Sequence, residues 1–383
     1  MKNTPKTTRR GFGLRSTAAA LGIVASVASL SIVTAGATPV SHSTSVVELK
    51  LYSAQGYDSH VVDAFNASHP TIKVTLNDNS TGTLLTQIAA EQASGHPVWN
   101  MMWADGATWA AQFDTAGWSV KNILPSGVNF NSAGSTNLPS DKSFVPTGVT
   151  VVGGLCYDTA ATTGVTLPST FAKLVGMPRR ALGMNNPSLS GPTFPLIAGE
   201  MAHLQGLPSS TTKTATSAQV TAAIAKGKAF LLALKANGLQ VHNTNGPTLG
   251  AMESNPPTLK AATIQTSACY GDVAAGYWPT GAVKYLDYSV ALPSTLAVSK
   301  DVSPAQLAAA KTFAGYVLSV TGQRAMQAGD PQGDGLFWPV ITGVNPEAGL
   351  PAYSATKAYA LNPYVWGPLQ SSINAWFTAN VVN

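Results

Sequence analysis

Charged residues are scarce in this chain of 383 residues. Asp, Glu, Lys and Arg make up 10% of it, against about 25% in an average soluble protein. Five of the 22 Lys and Arg residues precede Glu48 and no acid does, so the remainder is neutral, with 17 bases and 17 acids. A neutral remainder offers no electrostatic footprint for nucleic acid. The low charge and the 45% hydrophobic content also exclude a disordered chain.

The usual signatures of catalysis and of metal binding are also absent. The six histidines show no zinc-ligand spacing. There is no G-x-S-x-G segment of a serine hydrolase and no closely spaced carboxylate pair of a glycosidase. Residues 330–335 (DPQGDG) lack the remaining ligands of a calcium loop, and we interpret them as a turn. The sequence therefore predicts no catalytic residue, no metal and no cofactor.

The first part of the chain has the composition of an export signal. Residues 8–12 (TRRGF) follow a basic start, residues 16–34 are uncharged and apolar, and residues 35–37 (AGA) suit a signal peptidase. The paired arginines are typical of the twin-arginine type. We predict an export signal over 1–37 and a tether over 38–45, which places the protein in the periplasm or on the outer face of the cytoplasmic membrane. A retained membrane anchor is the alternative.

Cysteine is nearly absent, with Cys156 and Cys269 as the only two residues of this type. An even count in an exported protein permits a disulfide. Such a bond would close a loop of 113 residues, which the chain-entropy treatment converts to about 4–5 kcal/mol of stabilisation. Two buried free thiols are the alternative, and the sequence does not decide between them.

Apolar periodicity predicts alternating strands and helices after the tether. Strands are expected at 46–52, 72–76 and 98–103, each followed by a helix. This alternation is typical of an α/β protein with a parallel sheet that is covered on both faces. Residues 119–147, rich in Pro, Gly, Asn and Ser, are interpreted as a boundary or a long surface loop. Later strands are predicted at 149–157, 181–184 and 262–266, and later helices at 169–175, 193–204, 217–237 and from Ser303 onward.

Several turns of small, polar residues follow the predicted strands or precede the predicted helices. In open α/β sheets, ligands bind beyond the carboxyl ends of the strands, and helix N-termini offer unpaired N–H groups to an anion. Ordinary helix capping uses the same residue types. Aromatic residues near a strand pack in the core or wall a ligand pocket. The candidate ligand-binding residues are Ser53, Ser80, Thr81, Gly82, Asp105, Gly106, Asn186, Ser188, Ser190, Gly191, Tyr270 and Tyr277.

The order of four segments carries a family resemblance. These are residues 61–74, the turn 80–82 with the helix after it, the loop 186–191, and residues 310–323 with an L-S-x-x-G-Q turn. Together they resemble the extracellular solute-binding proteins of ABC importers, in the branch that includes ferric-ion, thiamine, polyamine and phosphonate binders. The similar region spans about 46–345. The adjacent tyrosine pair of the ferric binders is missing.

The resemblance implies a two-lobed, periplasmic-binding-protein-like fold of type II with the ligand cleft between the lobes. Lobe 1 is expected to comprise 46–148 and about 285–340, and lobe 2 to comprise 149–284 and about 341–383. It also implies a protein without enzymatic activity. This protein would capture a small polar or oxyanion-bearing solute, such as a phosphonate or phosphate ester, by lobe closure, and deliver it to an ABC permease in the membrane.

Three other functions stay open from the sequence. Ferric iron is the alternative ligand within the same family. A secreted hydrolase with an unrecognised triad, or a sensory protein built on the same two-lobed fold, is the alternative from another class. In each case we expect a monomer that has no nucleic-acid partner.

Overall fold

The computed structural model describes residues 45–212 and 215–382, so the predicted export signal and nearly all of the tether lie outside the described residues. The described residues contain ten strands and twelve α-helices. The strands are β1 Val47–Ser53, β2 Ile72–Asp78, β3 Met101–Asp105, β4 Phe144–Asp158, β5 Leu182–Asn185, β6 Gln240–His242, β7 Ala261–Gln265, β8 Gly281–Lys284, β9 Ser289–Val298 and β10 Ala358–Tyr359. The helices are α1 Asp58–Ser68, α2 Thr81–Ser94, α3 Thr108–Thr115, α4 Ser132–Asn137, α5 Thr193–Leu204, α6 Ser217–Ala236, α7 Asn245–Glu253, α8 Thr266–Ala274, α9 Pro304–Val317, α10 Val320–Gly329, α11 Pro363–Trp366 and α12 Gln370–Phe377.

All ten strands belong to one mixed sheet. Its order is β2-β1-β3-β9-β4-β7-β5-β6, with β10 beside β9 and β8 beside β4. Strand β1 is parallel to β2 and β3, as predicted, and β5 is parallel to β6 and β7. The centre departs from the predicted parallel arrangement, because β9 is antiparallel to β3 and β4, and β4 is antiparallel to β7. The sheet therefore consists of two parallel outer parts joined by two antiparallel central strands.

Each outer part of the sheet has helices on both faces and its own hydrophobic core. We call β1–β3 with α1–α3, α9 and α10 the first half, and β5–β7 with α5–α8 the second half. Phe65 and Phe313 lie in the core of the first half, and Phe194 and Leu231 lie in the core of the second half. We propose these halves as the two lobes of the sequence prediction.

The C-terminal part of the chain divides between the two cores. Ile341 and Tyr353 pack in or against the first core, whereas Tyr359, Trp366 and Phe377 belong to the second. In the proposed division the chain therefore returns to lobe 2 near β10, later than the boundary predicted at about residue 341.

A local capping signal predicted the start of one helix correctly. Ser303 caps α9 and Gln306 completes a capping box, with Pro304 in the first helical turn. The interpretation of 119–147 as a boundary or surface loop is wrong for part of this segment, since it contains α4 and the buried first residues of β4. The helix predicted at 169–175 is a short 3₁₀ turn, Phe171–Gly176.

A disulfide joins Cys156 of β4 to Cys269 of α8. Both residues are fully buried. The sequence permitted this pairing or two free thiols, and the structure has the pairing. Because Cys269 lies in α8 one turn after Gln265, the bond attaches the beginning of α8 to a central strand of the sheet.

Glu200 on α5 is a buried acid without a partner. Its side chain is fully buried, and neither carboxyl oxygen has a hydrogen-bond partner among the described residues. Burial therefore raises the pKa of Glu200 well above its usual value. The folded state favours the neutral acid while the unfolded chain ionises. The protonated Glu200 side chain therefore stabilises the folded state at low pH, and this stabilisation is lost as the pH rises above the ordinary carboxyl range.

We predict that Glu200→Gln makes the stability less dependent on pH. Wild-type protein should lose up to about 1.4 kcal/mol per pH unit from this residue above the ordinary carboxyl pKa, whereas glutamine does not ionise. In urea unfolding, the free energy of unfolding of the variant relative to that of wild type should be higher at pH 8 than at pH 5. Glu347→Gln, at an exposed position, serves as the control, and equal pH profiles for all three proteins would contradict the prediction.

Candidate functional site

Two of the predicted turns lie directly against each other, one from each half. Thr81 and Gly82 begin α2 in the first half. A Cβ placed on Gly82 would lie 3.2 Å from the carbonyl oxygen of Ser188, and a Cβ placed on Gly191 would lie 2.9 Å from Thr81 Oγ1. The loop 186–191 therefore touches the start of α2 across the cleft between the halves.

A third predicted turn makes a further contact between the halves. Gly106 follows β3 with φ of 86°, a conformation that favours glycine. Its N–H donates to the Pro293 carbonyl at 2.8 Å, and a Cβ there would lie 3.4 Å from Pro195 at the start of α5. The turns at 80–82, 105–106 and 186–191 thus lie where the halves meet.

Several backbone amides of these turns donate within the protein. Thr83 N–H donates to the Ser80 hydroxyl, and Ser188 N–H donates to the Asn186 side chain. The N–H groups of residues 189 and 190 donate to the Asn186 carbonyl. Amides that are already bonded are not available to an oxyanion unless the turn rearranges.

Two carboxylates and one amide from different parts of the chain meet deeper in the cleft. Gln265, the last residue of β7, directs its Nε2 to Asp105 Oδ2 at 3.2 Å and to Asp334 Oδ1 at 3.3 Å. The Gln55 amide donates to Asp105 Oδ1 at 3.2 Å, and Gly56 N–H donates to Asp334 Oδ2 at 2.8 Å. Gln265 of the second half thus bridges two acids that pack with the first half. We call Asp105 and Asp334 the acid pair, and Gln265 its bridge.

A further acid lies close to Gln55, whose carbonyl accepts from the N–H of Asp58 at 3.1 Å. Asp58 begins α1, is 3% exposed, and one of its carboxyl oxygens has no partner within the described residues. Burial raises the pKa of Asp58 to about 6. Burial, followed by the charge of Asp105, also raises the pKa of the Tyr57 hydroxyl, which lies 3.0 Å from Ser294 Oγ. The floor of the cleft is therefore acidic and poorly hydrated.

No basic side chain neutralises the acid pair. The ion pairs found within residues 45–212 and 215–382 involve Lys121 and His203, and neither reaches Asp105 or Asp334. Burial, and then the charge of Asp334, raises the pKa of Asp105. Burial likewise raises the pKa of Asp334. The pair therefore resists double ionisation until a positive charge is supplied.

Two phenols also approach each other at the start of α8. The Tyr270 hydroxyl donates to Tyr285 Oη at 3.3 Å, and Tyr285 in turn reaches Thr266 Oγ1 at 3.5 Å. Tyr277 lies beyond the C-terminal end of α8 and is 66% exposed. The structure thus places Tyr285, which the sequence analysis did not single out, beside Tyr270, and it places Tyr277 elsewhere.

Two further predicted residues, Ser53 and Ser190, are buried and have polar partners inside the protein. Ser53 is fully buried at the end of β1 and accepts from Gln55 N–H at 3.4 Å. Ser190 is buried and accepts from Asn185. The sequence analysis missed four buried polar residues near the acid pair, because no local pattern distinguishes them from ordinary strand and turn residues. They are Gln55, Thr150, Gln265 and Ser267.

A comparison with protein families identifies the family of the chain. Residues 52–324, more than half of the chain, match the family described as bacterial extracellular solute-binding protein. The chain belongs to this family. A comparison with curated proteins found no match.

Solved structures of periplasmic binding proteins share the fold. Iron-bound HitA from Pseudomonas aeruginosa aligns with a TM-score of 0.67 and 18% identity, covering 86% of this chain and 98% of HitA. AfuA from Actinobacillus pleuropneumoniae, with fructose-6-phosphate bound, gives 0.70 and 13%, covering 88% and 98%. A periplasmic thiamin binding protein gives 0.66 and 16%, covering 90% and 99%. The predicted two-lobed, type II fold is confirmed.

Family membership settles the general function of this solute-binding protein. It is the binding component of an ABC importer, it acts by binding rather than by catalysis, and it delivers a small-molecule ligand to a permease. Membership also implies export to the periplasm. Among residues 45–212 and 215–382, none of the helices has the length and apolar character that a membrane span needs.

We predict that Asp105→Asn stabilises the ligand-free protein at neutral and alkaline pH. Folding raises the pKa of Asp105, so wild type loses stability as the pH rises above the ordinary carboxyl range, and asparagine removes this loss. The melting temperature at pH 8 should rise by roughly 2–8 °C, and the difference should shrink at pH 5. Asp63→Asn, exposed on α1, is the control. A lower melting temperature for Asp105→Asn at pH 8 would refute the argument.

Proposed function

We propose that this solute-binding protein captures a small polar solute that carries a positively charged group, most simply a protonated amine. The observation that carries the proposal is the acid pair. Asp105 and Asp334 lie against one shared amide, Gln265, with no basic side chain beside either of them within the described residues. A cation between the halves would supply the missing charge.

The physical reason is the cost of burying like charges. Asp105 is 8% exposed and Asp334 is half-buried with both carboxyl oxygens engaged. In such surroundings a carboxylate is costly unless it is paired. An ammonium group placed between the two acids would form charge-assisted hydrogen bonds with them and allow both to ionise.

Lobe closure and solute binding would then be linked. Asp105 belongs to the first half and Gln265 to the second, so they meet only when the halves approach. A cation that contacts residues of both halves binds the closed form better than the open form, and therefore shifts the population towards closure. The closed form is what the permease would receive.

An oxyanion, the solute chemistry expected from the sequence, has less support. In the turns at 80–83 and 186–191, the N–H groups of residues 83, 188, 189 and 190 already donate within their own turns, which leaves fewer amides for an oxyanion. A phosphate-bearing solute near the cleft floor would also add negative charge next to Asp105 and Asp334. AfuA holds fructose-6-phosphate, so this solute is a suitable test of the oxyanion alternative.

Titration calorimetry at pH 8 separates the two chemistries. Putrescine and thiamin provide cationic probes, and inorganic phosphate and fructose-6-phosphate provide anionic ones. We expect heat of binding from at least one cationic probe and from neither anion. Because protons compete with the cation for the two carboxylates, binding should weaken at pH 5. Tight binding of an anion alone would reject the proposal.

Removing one carboxylate should abolish most of the affinity. For a cationic probe that binds wild type, Asp334→Asn should raise the dissociation constant at least about 100-fold, the scale for removing one partner of a buried charge pair. Asp63→Asn should bind like wild type. Unchanged affinity in Asp334→Asn, with the fold intact by circular dichroism, would show that the cation does not sit at the acid pair.

Ferric iron is a second candidate because of the two phenols. Tyr270 and Tyr285 bring their oxygens within 3.3 Å, and phenolates and carboxylates suit a hard trivalent ion. Burial raises the pKa of both phenols, so the metal would have to drive their ionisation. Adding ferric citrate should then produce a visible phenolate-to-iron absorption that Tyr270→Phe removes and Tyr277→Phe retains. No new absorption in wild type would dismiss iron.

A further inference from the structure

Gly271 in α8 lies directly against the loop that follows α10 of the first half. The carbonyl group of Gln332 lies where a side chain at position 271 would begin. Gln332 belongs to the loop 330–335, which follows α10 of the first half, whereas α8 belongs to the second half. A methyl group at this position would overlap with backbone atoms, which cannot rotate away as a flexible side chain can.

The loop 330–335 is rigid and carries Asp334. The N–H groups of Gly333 and Gly335 both donate to the Asp330 carbonyl, and Asp334 N–H donates to Asp330 Oδ2 at 2.7 Å. These bonds tie the two ends of the loop together. A displacement of Gln332 from α8 therefore also moves Asp334, two residues away.

We propose that the loop 330–335 is a latch that seats on Gly271 when the halves close, and that Gly271 is a positioning residue for Asp334. Seating brings Asp334 Oδ1 to Gln265, which lies six residues before Gly271 and immediately before α8. The role of the latch in solute affinity rests on the proposed function, whereas its role in closure does not. Any side chain at position 271 holds the latch off α8 and the cleft partly open.

Gly271→Ala tests the latch because two effects of the substitution oppose each other. Alanine favours the helical state over glycine, so local propensity predicts a helix that is at least as stable. The contact with Gln332 predicts that closure is lost. Gly246→Ala is the matched control, since Gly246 lies in α7 of the same half and a Cβ there meets no atom within 4 Å.

The first readout is the affinity for putrescine or thiamin, whichever binds wild type. Calorimetry should show a loss of at least tenfold in Gly271→Ala and no loss in Gly246→Ala, while the melting temperatures of the ligand-free proteins stay at or above the wild-type value. Wild-type affinity in Gly271→Ala would overturn the proposed latch.

The second readout measures closure without any solute. The Thr81→Cys/Gly191→Cys pair places two thiols where a Cβ at position 191 lies 3.2 Å from the Cβ of residue 81, close to disulfide geometry. The native cysteines are already bonded, so loss of the two new thiols under mild oxidation reports closure. We expect oxidation to be at least tenfold slower with Gly271→Ala added, and unchanged with Gly246→Ala added.

The two readouts separate the latch from the proposed ligand. Slower oxidation with Gly271→Ala supports the latch even if no amine binds. In that case only the proposed class of ligand is rejected. Equal oxidation rates with and without Gly271→Ala would overturn the latch. Absence of oxidation in all the proteins would overturn it as well, because the halves would then not approach as the structure has them.

Discussion

Strands β4 and β9 pair antiparallel from Phe144 opposite Ala297 to Val152 opposite Val290, and this ladder belongs to both halves of the molecule. Val149 and Leu296 project into the first core, whereas Leu155 and Leu292 project into the second. Because the same two strands build both cores, the halves can move only by bending these strands. The β4–β9 pairing shifts register near Gly148, and the pairing of β4 with β7 shifts near Gly153; such bulges are where strands bend most readily.

The ladder also determines where the acidic groups lie. Asp105 ends β3 opposite Ser294 of β9, and Gln265 ends β7 opposite Val152 of β4. Both side chains therefore extend from strands that flank the shared ladder, at the point where the two halves meet. In a protein with so few charges, the buried Asp58 and Asp105 and the half-buried Asp334 are costly to the fold. Groups that destabilise the folded state are often found at functional sites.

Patterns that are local in sequence predicted local structure. Helix α5 occupies Thr193–Leu204, the residues that periodicity indicated, and Ser303 caps α9 as expected. Strand β9 was not predicted, because all ten of its residues are buried and its sequence therefore shows no alternation of apolar and polar residues. Pro293 also argues against a central strand. Helix α8 escaped notice because its small and polar residues give only a weak apolar face.

The candidate site was only half predictable for the same reason. The turns at residues 80–82 and 186–191 carry glycine and hydroxyl residues, which mark them in the sequence. Asp105 was among the candidates, but no local pattern joins it to Asp334 and Gln265, because Gln265 is 160 residues from Asp105 and 69 from Asp334. Only the tertiary fold brings them together. Residues 330–335 were interpreted as a turn, which they are, and the role that we propose for Asp334 depends on what that turn packs against.

Glycine contacts and charge make different contributions to closure. Gly82, Gly191 and Gly271 allow the backbones of the halves to touch, so they make the closed form sterically possible. The acids at the floor oppose it whenever both are ionised, since closure removes water from two like charges. A cation would relieve this opposition by neutralising the pair, and protons would relieve it by discharging the pair. The proposed solute and acid would therefore both favour closure, yet they would compete for the same oxygens. Acidification would close the cleft while it displaces the proposed solute.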